Sequence, residues 1–226
     1  MPAIRHPELG AVRKVDTCGL DYAITLGEAA NDEVRDALAS RETWTQVNAL
    51  VAGASLFERP ERLRRFADAA RDKAAKGEVR EVAIELLASE GDLGATHLTR
   101  LIRAAELGPA LRTQALLLLA DRDPARAGVE AVDLMAWSPP LERLRRACFQ
   151  VLGSPEAAAR SPARARELLE TGALDDHDLA CRLRAAWSLA NVAPRDARLH
   201  AFLVGLLGRT LGLSPPLYAD PLETQA

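Results

Sequence analysis

Ten-residue segments that open with an apolar residue followed by arginine recur along this chain. They occupy residues 79–88 (Val-Arg-Glu-Val-Ala-Ile-Glu-Leu-Leu-Ala), 111–120 (Leu-Arg-Thr-Gln-Ala-Leu-Leu-Leu-Leu-Ala), 144–153 (Leu-Arg-Arg-Ala-Cys-Phe-Gln-Val-Leu-Gly) and 181–190 (Cys-Arg-Leu-Arg-Ala-Ala-Trp-Ser-Leu-Ala). The fifth position is Ala or Cys, and each copy ends Leu-Ala or Leu-Gly. The starts lie 32, 33 and 37 residues apart. A weaker copy at 44–53 begins 35 residues before Val79 and lacks the arginine. A second amphipathic stretch follows each copy, at 59–75, 94–106, 125–137, 161–171 and 195–211. Two helices repeated with a period near 33 residues is the pattern of an α-solenoid. One hairpin cannot bury its apolar face alone, whereas stacked hairpins share one elongated core.

Within the copies the apolar residues keep helical time. Val79, Val82, Ala83, Leu86 and Leu87 fit one face of a helix, as do Leu98, Leu101, Ile102 and Ala105. Short breaks separate the segments, among them Gly91-Asp92, Gly108-Pro109, Asp123-Pro124 and Ser154-Pro155, where Gly stops one helix and Pro opens the next. Asp92 and Asp123 are expected N-caps. About twelve helices follow. The 43 alanines and the 4% aromatic content point the same way, because strands favour Val, Ile, Thr and aromatics. A chain of 226 residues buries enough surface to fold without a disulfide or metal. The expected fold is all-α. A flexible segment spans 1–15, and a helical cap spans 16–41 with short helices near 20–30 and 32–40. The repeats span 42–212, and a tail spans 213–226.

The pattern apolar-Arg-x-x-Ala-x-x-x-Leu-Gly/Ala resembles HEAT-like repeats of the phycobilin-lyase type, within the armadillo-like α-solenoids. The resemblance covers about 42–208 and implies about five hairpins whose second helices line the concave face. The Trp-Leu-Gly-Tyr pattern of tetratricopeptide repeats and the Thr-Pro-Leu-His of ankyrin are absent.

Charge narrows the partners. The 29 basic and 32 acidic residues leave a net charge of −3, which argues against a general nucleic-acid or membrane-surface binder. Only Lys14, Lys73 and Lys76 are lysines, a balance that fits high-GC bacterial coding. Three cysteines without a CxxC favour a reducing, cytoplasmic setting. No leader-like apolar run opens the sequence, and the most apolar stretch, 199–213, is too short to span a bilayer.

The repeated arginines Arg80, Arg112, Arg145 and Arg182 are read first as a ladder. Each would bond backbone carbonyls or an acid in the neighbouring unit, such as Asp92 or Asp123. A second set lies on the second helices, and its candidate partner-binding members are Arg62, Arg65, Arg100, Arg103, Arg126 and Arg164. Interleaved acids, among them Glu61, Asp68 and Glu167, offer these arginines a competing role in ion pairs. Trp137, before Ser138-Pro139-Pro140, is the candidate aromatic anchor, while Trp187 is expected in the core. The four histidines lack ligand spacing, so no metal or cofactor site is expected. Asp175 to Asp178 open a helix, where acids favour the N-terminal dipole. Cys148 and Cys181 fall in core registers, which leaves Cys18 as the thiol to test for reactivity. No nucleophile elbow, phosphate loop or dinucleotide fingerprint occurs, so no catalytic residue is assigned.

The expectation is therefore a non-enzymatic scaffold that binds a protein or peptide on the second-helix face. Two alternatives follow from the resemblance: a glycosylase-like hold on DNA, and a tetrapyrrole or small-molecule role. The helix at 195–211 is apolar around much of its circumference, which raises self-association or a covering by the tail.

Overall fold

The computed structural model describes residues 5–6, 10–11, 31–137, 141–193, 201 and 204–205. Apart from a two-residue antiparallel pairing of Arg5–His6 with Gly10–Ala11, every regular element among them is a helix. Two compact units divide the chain, Met1–Asp123 and Pro124–Ala226.

The first unit contains α1 (Asn31–Leu38), α2 (Thr43–Leu56), α3 (Arg59–Arg71), α4 (Gly77–Ser89), α5 (Gly91–Arg103) and α6 (Pro109–Arg122). The sequence repeat explains which helices touch. The copies at 44–53, 79–88 and 111–120 form α2, α4 and α6, and these pack in that order, α2 on α4 and α4 on α6. Each intervening helix packs on the copy that follows it, α3 on α4 and α5 on α6, and α3 lies beside α5. The core runs through Leu50, Phe66, Ile84, Leu87, Leu98, Ile102, Leu116 and Leu119. Helix α1 closes one end, where Val34 packs with Ala49, Ala52 and Phe57. The other expected cap helix, near 20–30, lies outside the described residues.

Local chemistry sets the helix ends. The Glu42 carboxylate caps α2 by accepting from the backbone N–H groups of Trp44 and Thr45, and the Thr45 side chain together with these bonds pulls its pKa below the usual carboxylate range. Only Glu90 separates α4 from α5. That tight reversal needs Gly91, which has φ +65°, a left-handed conformation that costs glycine little. Helix α5 therefore starts earlier than the spacing predicts, and Asp92 falls in its first turn rather than at its cap. A Cβ on Gly94 would sit 1.9 Å from the Leu87 carbonyl oxygen, so this glycine lets α5 lie against the backbone of α4.

The second unit contains α7 (Pro124–Trp137), α8 (Glu142–Leu152), α9 (Pro155–Ala158), α10 (Pro162–Asp175) and α11 (Leu179–Val192). Here the copies at 144–153 and 181–190 form α8 and α11, which again pack together. Helix α7 packs on α8 and α10 on α11, while the one-turn α9, which periodicity did not separate, rests on α7. The helix expected at 195–211 and the tail at 213–226 fall outside the described residues, apart from helical backbone at Ala201, Val204 and Gly205.

The arginine ladder has a specific chemistry. Arg80 Nε donates to the Ala70 carbonyl at 3.2 Å, Arg112 Nε to Ile102 at 2.7 Å and Arg182 Nε to Ala173 at 3.3 Å. Each acceptor lies in the last turn of the helix that precedes the arginine's own. The guanidinium thus satisfies an orphan carbonyl and meets the negative end of the helix dipole. Arg145 differs, binding Asp176 through two hydrogen bonds (Nε to Oδ2 at 2.6 Å, Nη2 to Oδ1 at 3.0 Å). The acceptors are carbonyls and Asp176 rather than the suggested Asp92.

One core expectation fails. Trp187 is 67% exposed. Helix α11 buries Cys181, Ala185, Ala186, Ser188 and Leu189, and Trp187 falls outside that arc, on the side shared with exposed Leu179 and Leu183. Position seven of the repeat is a surface position in α4 and α8 too, where it holds Glu85 and Gln150. Residue type suggested burial, but the register decides against it.

Candidate functional site

The second-helix face of the first unit carries a groove of ≈ 460 Å³ between α3 and α5. Its floor is apolar, formed by Leu63 and Ala67 of α3, and Leu93 of α5 forms a wall that is 50% exposed. Its rim is basic. Arg59, Arg64 and Arg71 line it from α3 and His97 from α5, with Asp68 as the acidic member.

Helical register produces this arrangement. The buried stripe of α3 is Leu63, Phe66, Ala67 and Ala70. Arg64 and Arg71, seven residues apart, share one flank of that stripe, while Arg62 lies on the other flank. On α5, Leu93, His97 and Arg100 recur at i, i+4 and i+7, beside buried Leu98, Leu101 and Ile102. Arg64, Arg71 and Arg100 make no hydrogen bond or ion pair among the described residues. Arg59 is engaged, bonding the Glu90 carbonyl at 2.6 Å and its carboxylate at 3.4 Å.

His97 reports the local field. Burial first, then the positive charges of Arg100 and Arg71, push its pKa below the usual imidazole value, against a smaller pull from Asp68. Its Nδ1 is buried and has no hydrogen-bond partner among the described residues.

The arginines expected from sequence to bind a partner divide by this geometry. Arg62 is taken up by Glu90, through Nε to Oε1 and through Nη2 to Oε2 at 3.0 Å, and also donates to the Phe57 carbonyl at 3.3 Å. Arg65 bonds Glu61 at 2.8 Å and stacks 4.9 Å from the Phe57 ring centroid. Its partner Glu61 is held below the usual carboxylate range by hydrogen bonds from Arg65 and Arg35. In the second unit Arg164 pairs with Glu167 at 2.7 Å. Arg100 stands beside the groove, whereas Arg103 is exposed and Arg126 half-buried, both with contacts of their own. The Trp137 side chain lies outside the described residues. Arg64, Arg71 and His97 were not foreseen from the sequence. The signal that could have found them was the i, i+7 spacing of the two arginines beside Leu63 and Ala67.

Other features fit the groove's role less well. A cavity of ≈ 320 Å³ beside α3 combines Arg65 with Asp68 and Asp72, so its charge is mixed and its arginine already paired. A cavity of ≈ 410 Å³ in the second unit is lined mainly by alanine and proline, and its Arg166 is bonded to Glu170. The acidic run at the start of α11 is structural. The Asp178 side chain accepts from the Cys181 N–H at 2.7 Å as an N-cap, and Asp176 holds Arg145. Cys148 and Cys181 are buried, and burial pushes the Cys181 thiol up to about 11. No group of three or more potential metal-ligating side chains exists among the described residues. None of their helices is long and apolar enough to cross a membrane.

Against family models, curated proteins and solved structures the chain finds no match. The groove is thus the feature from which a function can be inferred.

Proposed function

We propose that the chain is a HEAT-like α-solenoid of about five hairpins that works as a non-enzymatic interaction module. It holds a segment of a partner protein on its second-helix face, in the α3–α5 groove. The repeat reading is supported in each unit separately: copies of one pattern pack on one another, and Arg80, Arg112 and Arg182 repeat one bond. The observation that carries the function is the pairing of an exposed apolar wall with Arg64, Arg71 and Arg100, which have no partner within the described chain. Exposed guanidinium groups over apolar surface are typical anchoring chemistry at interfaces.

Selection of a random peptide library displayed on phage tests this reading. Clones should enrich on the wild-type protein and fail to bind the R64E/R71E variant, whose two changes sit on exposed positions. Absence of enrichment, or equal binding to both proteins, refutes it. A gel shift on duplex DNA at about 50 mM salt tests the glycosylase-like alternative, for which phosphate contacts are essential.

A further inference from the structure

The groove's chemistry specifies more than a peptide, and the inference rests on the groove being the binding site. Arg64 and Arg71 stand two helical turns apart, roughly 10 Å at about 1.5 Å per residue. Carboxylates four residues apart on an extended chain share one face and span roughly 13 Å at about 3.3 Å each, a separation that two flexible arginine side chains bridge, with one same-face position between them for an apolar residue. Beside the arginines lie the buried floor residues Leu63 and Ala67, and half-exposed Leu93 supplies the surface that gains by covering with an apolar side chain. No aromatic side chain lines the groove, so it lacks the stacking platform that a single nucleic-acid strand uses. Its volume lies within the roughly 300–1,000 Å³ of ligand clefts, which suits a short segment rather than a folded domain.

We propose that the α3–α5 groove holds an acidic peptide segment, with carboxylates on Arg64, Arg71 and Arg100 and an apolar side chain against Leu93 over the Leu63 and Ala67 floor. Electrostatic capture weakens with salt, because the arginines are exposed.

The probe is a fluorescein-labelled twelve-residue peptide of alternating glutamate and leucine pairs, with glutamine replacing glutamate in the control. Anisotropy titrations on the full chain should show binding of the acidic peptide, at least tenfold weaker with the control or with R64E/R71E. Equal affinity for the acidic and control peptides, or tighter binding of an oligonucleotide of equal charge, overturns the acidic-segment proposal. Phage-selected peptides that lack acids yet lose binding to R64E/R71E leave the groove as the site and sink only the preference for acids. Failure of every peptide, selected or designed, removes the groove itself.

Discussion

Replacing Asp176 by alanine should unfold the second unit more readily than any single change on its surface. Asp176 and Arg145 have side chains only 6% and 8% exposed, so neither charge has water to fall back on. Burial by itself would lower the Arg145 pKa, yet the two hydrogen bonds and the charge of Asp176 outweigh it and hold the guanidinium above its ordinary value. Two unit charges about 4 Å apart attract by about 4 kcal/mol at an effective dielectric of about 20. Removing one partner forfeits that attraction and leaves a buried charge, a change that typically costs about 3–5 kcal/mol. Asp176 also accepts from the Asp178 N–H at 2.9 Å, next to the cap of α11, so the variant loosens the start of that helix as well. The D176A, R145M and R145M/D176L proteins form the comparison, with guanidinium unfolding followed by circular dichroism at 222 nm. D176A should lose about 3–5 kcal/mol, and the double variant should recover most of it, because an apolar pair of similar volume avoids the desolvation cost. A D176A protein within about 0.5 kcal/mol of wild type, the usual range for surface changes, would show the pair to be solvated and the reasoning wrong.

Gly94→Ala should destabilise the first unit by about 1–3 kcal/mol or more, since its Cβ would meet the Leu87 oxygen at 1.9 Å, whereas Gly77→Ala, with nothing within 4 Å, should be neutral or stabilising in the same urea titration. Arg112→Leu should cost about 1 kcal/mol by the same measurement, the net value of the bond to Ile102. Peptide mapping after iodoacetamide at pH 8 should find Cys148 and Cys181 unlabelled in the native protein and labelled after unfolding; native labelling of Cys181 would contradict its burial and its raised pKa. His97 is held below its unfolded value of about 6.5, so the unfolded chain binds the proton first. Its contribution is fully present above that pH and declines as pH falls through about 6.5 towards the folded value, a slope in urea midpoint that His97→Gln should remove.

Much of the helical framework was legible because period and punctuation are local. The ten-residue copies became α2, α4, α6, α8 and α11, and the arginine at their second position showed its structural use in four cases. What sequence could not supply was the partner of each charge. Arg62 and Arg64 are two residues apart on α3 and chemically alike. One is claimed by Glu90, 28 residues away and buried at a turn whose geometry depends on Gly91, and the other faces the groove. Trp187 shows the same limit for apolar residues, since its side chain suggested a core position that its register denies. Periodicity orders faces, but which arginine remains available for a partner depends on contacts made across the fold. The working surface therefore had to be found by subtraction, as the arginines left after the long-range pairs are formed. That logic also predicts how function could be gained or lost at a distance. Glu90→Gln would remove the carboxylate that neutralises Arg59 on the groove rim and should tighten binding of the acidic peptide, although no residue touching the peptide has changed; unchanged affinity would show that the paired arginine already reaches the ligand.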